Sequence, residues 1–188
     1  MKPQVRKLIS FFNLVLGLKH VRRSGWIFKA GISSPESVAD HTFSLCMMAT
    51  VFSDLTGLNT ERAIKMAILH DLGESIIGDF MPGQISTTVK KELERKAMIS
   101  ILKNLPKPLC IEYSHIWAEY VDQRTLLSKF IRDLDKLEMI FQARQYVTYG
   151  YSKGKLRELI DSANPTLDSK RRDLISEILQ GLNAASIN

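Results

Sequence analysis

The sequence is poor in every feature that would remove it from the class of ordinary globular chains. It has two cysteines in 188 residues. Cys46 and Cys110 stand in SLCMMA and KPLCIEY without CxxC pairing, which indicates neither a disulfide framework nor a zinc knuckle. Two free thiols in apolar surroundings point to the cytoplasm. Six prolines and ten glycines are too few for a collagen-like or low-complexity chain. The longest apolar runs, such as 67–69 and 76–77, fall far short of the roughly 18 residues that cross a bilayer, so no membrane span is expected. The N-terminal MKPQVRKLISFFNLVLGLKHVRR has an apolar middle but lacks a small-residue cleavage site, and reads as a helix of the mature protein. Internal repeats, strand-like alternation and a linker long enough to divide the chain are all missing.

What is present fits one domain over residues 1–188, long enough to bury roughly 70% of the surface of its unfolded chain. Hydrophobic residues make up 45% and charged residues 24%. The formal charge is +6 and the sequence pI about 9.3, which makes attraction to phosphates physically reasonable. The basic residues are dispersed over 19–23, 90–96, 153–157 and 170–172, with carboxylates nearby, so they describe a solvated surface rather than a nucleic-acid stripe.

Helical periodicity runs through the chain and predicts an all-α fold. Val5, Leu8, Ile9, Phe12, Val15 and Leu16 recur at intervals of three and four, one stripe of a first helix ending near Gly17. Ser34 or Ser37 in the turn-forming GISSPES can cap a second helix from about Val38, through Phe43, Leu45, Met48 and Val51. Thr60 and Glu61 open a third, with Ala63, Ile64, Ala67 and Ile68 on one face, and it closes at His70 and Asp71. Past the punctuated LGESIIGDFMPGQIS, the charged KKELERKAMISILKNL is helical again, with Lys90 and Glu94 at i,i+4, until Pro106 and Pro108 stop it. A long helix over about 124–149 buries Leu127, Phe130, Ile131, Leu134, Leu137 and Ile140, and a last one covers 168–182. Phe141 and Tyr146 on the long helix have no evident place in the core and suit a homodimer interface.

Chemistry concentrates in a few acidic and imidazole residues. His41 stands in SVADHTFSL, the pair His70–Asp71 in AILHDLGES, and Asp135 in RDLDKLEMI on an otherwise apolar helix. Singly, Asp71 reads as a helix-end acceptor and Asp135 as a partner of Arg132 or Lys136. Together they are the residue types of a metal site, which needs neutral imidazoles and ionised carboxylates converging from different elements. A carboxylate near a buried stripe also calls for a cation. Glu74 and Asp79 follow in GESIIGDF, where either can instead cap a helix or close a turn.

The pattern H…HD…D resembles that of the HD-domain metal-dependent phosphohydrolases, and LKHVRRSGW, SPESVADHTF, ILHDLGESIIGDF and RDLDKLEMIFQA are similar to their 5′-deoxynucleotidase-like branch, over about residues 14–149. The resemblance implies an all-α HD bundle, with C-terminal helices in 151–188 packed on it, and one divalent metal held by His41, His70, Asp71 and Asp135. Two nitrogens and two carboxylates with open positions suit Co²⁺, Mn²⁺, Fe²⁺ or Ni²⁺ better than Mg²⁺ or a closed structural Zn²⁺. It further implies Glu74 and Asp79 as the general acid/base pair and Arg23 as the phosphate-holding guanidinium. Trp26 matches the branch's nearby tryptophan, but Ser24 and Gly25 intervene, so it serves either the core or the substrate. His20 and His115 match no role.

The activity implied is hydrolysis of nucleoside or deoxynucleoside 5′-monophosphates, in a cytoplasmic homodimer. A cyclic nucleotide, a nucleoside triphosphate or a guanosine polyphosphate is the alternative substrate. A basic nucleic-acid-binding protein with a structural metal is the alternative class.

Overall fold

The computed structural model describes residues 1–81, 83–162, 175–178 and 180–181, and among them the chain is all-α. Its helices are α1 Pro3–Gly17, α2 Val38–Thr56, α3 Thr60–Leu69, α4 Glu74–Ile77, α5 Thr87–Leu102, α6 Lys107–Asp122, α7 Leu126–Thr148 and α8 Lys153–Ser162. None of the described helices is long and apolar enough to cross a membrane. The helix read over 168–182 lies largely outside the described residues, of which 175–178 and 180–181 are helical.

Local chemistry sets the helix ends that matter for function. Ser37 caps α2: its hydroxyl accepts from the Asp40 N–H, while the Asp40 carboxylate accepts from the Ser37 N–H, a reciprocal capping box. This fixes the first turn of α2, where His41 sits. Asn59 caps α3 through the Arg62 N–H. Thr125 and Ser128 form a second capping box at the start of α7.

Pro106 and Pro108 do not merely stop a helix. α5 has ended at Leu102, and the two prolines begin α6, with Pro106 at its N-cap and Pro108 within its first two positions. A missing N–H costs nothing in a first turn, where the donors have no intrahelical acceptor. The proline signal therefore marked the start of a helix that the sequence reading passed over.

α2 packs chiefly on α3 and then on α7, and α6 covers α3, α5 and α7. The main core joins Leu45, Ala49, Met66, Met98, Ile101, Ile116, Ile131, Leu134 and Leu137. A second cluster gathers Trp26, Ala30, Ile32, Ala143, Tyr146 and Leu156 under α8. Tyr146, read as an interface residue, is thus a core residue, 4% exposed, its ring edge-on to Trp26 at 5.3 Å. Its hydroxyl also accepts the Glu36 N–H at 2.8 Å, so a polar tip explains why it looked displaced from the core. Phe141 is partly exposed.

The apolar stripes on α1 and α2 face less inward than their periodicity predicts. On α1 the buried residue is Phe11, while Val5, Ile9, Phe12 and Leu16 are exposed. On α2, Leu45 is buried while Phe43 and Val51 are exposed, and Ile68 is exposed on α3. The stripe read on α7, Leu127, Phe130, Ile131, Leu134, Leu137 and Ile140, is buried, because that face of the helix is enclosed by neighbours.

Between α1 and α2 the chain makes a 3₁₀ turn, Leu18–His20, and a π-helical turn, Trp26–Ala30. An isolated antiparallel bridge between Arg22 and Ser37 closes this excursion, with Arg23 N–H donating to Glu36 O at 3.1 Å and Val38 N–H to Val21 O at 2.8 Å. Gly31, at φ +72°, ends the π turn in a left-handed conformation that glycine adopts at little cost. The excursion brings Arg23 and Trp26 beside the start of α2.

Candidate metal centre

Three separate elements deliver the imidazoles and carboxylates to one point. His41 comes from the first turns of α2, His70 from the C-cap of α3 with Asp71 directly after it, and Asp135 from the middle of α7. Ligand atoms of His41, His70 and Asp71 all lie within 4.8 Å of one another. His41 Nε2 is 3.2 Å from Asp135 Oδ1, His70 Nε2 is 2.9 Å from Asp71 Oδ2, and the two imidazole rings meet edge-on at 5.4 Å.

Whether a cation fits is decided by the far nitrogens. His41 Nδ1 is 2.6 Å from Glu138 Oε2, and His70 Nδ1 is 2.7 Å from the Ala67 carbonyl oxygen. Carboxylate and carbonyl oxygens only accept, so each Nδ1 carries the donated proton and each neutral ring turns a lone pair at Nε2 inward. Both Nε2 atoms are buried and have no hydrogen-bond partner. A lone pair facing a carboxylate oxygen at about 3 Å is repulsive unless a positive charge lies between them. The residues therefore suit a cation bound by two imidazoles and carboxylates.

With no cation bound, the surrounding carboxylates favour a second proton on each ring in its place. Burial and Arg23 press the His41 pKa down, but Asp135 and Glu138 outweigh them and raise it to about 9. Burial also opposes the upward shift of His70, which Asp71 drives. Burial likewise opposes the lowering of both carboxylates: His70 chiefly holds Asp71 down, and His41 holds Asp135 down.

Beside this point lies a cavity of about 360 Å³, whose wall includes Arg23, Trp26, Asp71, Glu74, Asp79 and Asp135. Arg23 Nη1 stands 3.9 Å from Asp71 Oδ2. Asp135 and Asp71 strengthen its charge against the cost of burial. Glu74 opens α4 and is buried, and its Oε2 has no partner. Burial first, then Asp71 and Asp79, pushes its carboxyl well above the ordinary range. Asp79 follows Gly78, whose φ of +78° and ψ of 169° are open almost only to glycine. The turn swings the Asp79 carboxylate back to accept the Ser24 N–H at 2.7 Å. The core role read for Trp26 holds, and its place at the cavity wall leaves a substrate role open. It is buried in the second core cluster and also lines the cavity, with its indole N–H donating to Glu36 Oε1 at 2.9 Å.

His20 and His115 are exposed and away from the cavity. The sequence reading missed Glu138, Glu36 and Tyr120, and saw in Lys90, which lines the cavity, only a helix partner of Glu94. Glu138 was findable, since it lies three residues after Asp135 on the same helical face. Tyr120, edge-on to His70 at 5.5 Å, comes from the unforeseen α6.

A family model described as HD domain matches residues 15–174. The chain belongs to the HD-domain family. It is 38% identical over 158 residues to human 5′-deoxynucleotidase HDDC2, covering 84% of this chain and 76% of that protein. To the Xenopus laevis protein of the same name it is 36% identical over 182 residues, 96% of this chain and 90% of the other. Among solved structures, the PH0347 protein from Pyrococcus horikoshii OT3 is 29% identical with a TM-score of 0.76, covering 92% of this chain and 96% of that one. In this HD-domain chain the His–Asp dipeptide is cut by a helix end: His70 closes α3 and Asp71 begins the turn toward α4.

Proposed function

We propose that the chain is a metal-dependent phosphohydrolase that removes the 5′-phosphate from deoxynucleoside monophosphates. The observation that carries this is the pair of buried, unpartnered imidazole nitrogens facing Asp71 and Asp135 at the wall of a cavity that also holds Arg23. The relatives' name, 5′-deoxynucleotidase, supports the choice of substrate.

His41, His70, Asp71 and Asp135 hold one divalent ion, and their mixed nitrogen and oxygen donors favour Co²⁺, Mn²⁺, Fe²⁺ or Ni²⁺ over Mg²⁺. Such an ion, when bound, lowers the pKa of a coordinated water and polarises the phosphoryl oxygen. Arg23 holds the phosphate, its planar guanidinium offering two parallel N–H donors. Glu74 exchanges protons with the attacking water or the leaving 5′-oxygen, since its buried Oε2 has no hydrogen-bond partner. Asp79 is the second acid/base candidate, with one oxygen already engaged by Ser24. Water attacks phosphorus, the P–O5′ bond breaks, and the departing oxygen takes a proton, giving a nucleoside and inorganic phosphate. The chain forms one HD domain, with α8 packed on it through Leu156, and the protein works in the cytoplasm as a homodimer.

The test is chelator-stripped protein assayed on a panel of 5′-monophosphates. Activity should vanish on stripping, return with Co²⁺ or Mn²⁺ better than with Mg²⁺, and be higher on deoxynucleotides than on ribonucleotides. Asp135→Ala should lose metal content together with turnover. Full activity in chelator, or normal metal content in that variant, would overturn the reading.

A further inference from the structure

The two imidazoles of the centre are held from behind in different ways, and helix polarity explains why. His70 sits at the C-cap of α3, where the last carbonyls have no intrahelical donor, so its Nδ1–H uses the free Ala67 oxygen three residues back. His41 sits in the first turns of α2, where carbonyl oxygens are taken up by the helix. The corresponding oxygen three residues back, Val38 O, accepts from the Thr42 hydroxyl at 2.7 Å. No backbone acceptor is therefore free for His41, and its Nδ1 is met instead by a side chain 97 positions away, Glu138 Oε2 at 2.6 Å.

Glu138 is itself an unusual residue for its place. It is 2% exposed on a helix otherwise lined with Ile131, Leu134, Leu137 and Ile140. A carboxylate so placed is costly unless it is bonded and its charge compensated. It lies one turn beyond Asp135, so α7 presents one carboxylate to each nitrogen of the same ring. Glu36 faces the pair from the loop before α2, and its own carboxyl is pushed up to about 7 by burial and by Glu138. Burial beside Glu138 thus favours the neutral form of Glu36.

We infer that Glu138 is a positioning residue of the metal centre, fixing the tautomer and orientation of His41 so that Nε2 is aimed beside Asp135 and is made a stronger donor to a divalent ion. The inference rests on the metal-site reading above. A neutral acceptor in place of the carboxylate would keep the ring direction and lose the donor strengthening. An apolar residue would lose both, since the Nδ1–H would have no acceptor and the ring would be free to rotate or change tautomer.

The experiment is titration of Co²⁺ into metal-free wild type, Glu138→Gln and Glu138→Ala, following the visible absorption of the bound ion and the Tm of the metal-free proteins. The expected order of affinity is wild type, then Gln, then Ala, with Ala roughly 10–100-fold weaker than wild type and Gln partly rescued. The Co²⁺ band should shift in Ala. A purely structural Glu138 would lower the Tm of the metal-free variants and leave their Co²⁺ affinity at the wild-type value, which would overturn the inference alone. Absence of Co²⁺ binding by the wild type would overturn the metal-site reading and this inference with it. Should Glu138→Ala not fold, the near-isosteric Glu138→Gln decides the matter by itself.

Discussion

The Ser24 backbone N–H donates to Asp79 Oδ2 at 2.7 Å, tying the loop that carries Arg23 to the loop that follows α4, 55 residues later. Ser24 is buried, so Asp79→Ala leaves a buried donor without its acceptor, at about 1–3 kcal/mol. For a chain of this size each kcal/mol lowers Tm by roughly 2–4 °C. Thermal unfolding of Asp79→Ala should show that loss, and steady-state kinetics on a deoxynucleoside 5′-monophosphate should show a raised KM as the Arg23 loop loosens. An unchanged Tm and KM would mean that the bond is incidental.

Glu74→Ala leaves all four proposed ligands in place. Metal content should stay near that of the wild type while kcat falls by roughly 10²–10⁴, the usual worth of a positioned acid or base. Metal analysis beside single-turnover kinetics separates the two quantities. Loss of the metal in this variant would transfer Glu74 from proton exchange to coordination.

Arg23→Ala should fail differently. Removing the guanidinium takes a charge-assisted clamp from the phosphate, so KM rises and kcat/KM drops, with metal affinity retained. Arg23→Lys should recover only part of the loss, because an ammonium cannot make the paired, planar contact. Wild-type kinetics in Arg23→Ala would remove the residue from the substrate site.

Proton linkage gives a prediction independent of turnover. In the metal-free chain the His41 pKa is raised from 6.5 to about 9. A raised folded-state pKa stabilises the protein fully below the unfolded value of about 6.5, and that contribution is lost as pH rises through about 9. Metal has the opposite dependence, since it must displace the His41 proton and so binds more tightly as pH rises over the same window. The difference in Tm between Co²⁺-loaded and metal-free protein should therefore widen from pH 6.5 to 9, with proton release on binding measurable in a weakly buffered titration. A difference that is flat or narrows over that range would mean that His41 gives up no proton to the metal.

Much of the architecture was legible in the residue order, because caps and periodicity are local. Ser37 before Val38, Thr60 and Glu61 before a run of apolar threes and fours, and the long apolar face of α7 all lie within one or two turns of the features they specify. α6 was not legible, because the signal of Pro106 and Pro108 is ambiguous between stopping one helix and opening the next. Which side of α1 and α2 turns inward was not legible either. Phe43, Val51 and Phe12 are as apolar as Leu45 and Phe11, and only the neighbouring helices decide which of them is covered.

The same division runs through the candidate site. His41, His70, Asp71 and Asp135 were marked out by their residue types and order, because a metal site admits few side chains, whereas Glu74, Asp79 and Arg23 were marked out by the resemblance to the HD-domain phosphohydrolases. Convergence of two Nε2 atoms with Asp71 and Asp135, the bond from Ser24 to Asp79, and the carboxylate of Glu138 behind His41 depend on α2, α3 and α7 packing at one register. The two bonds join residues 55 and 97 positions apart. Contacts of that range are set by the sum of many apolar packings, and no local pattern encodes them.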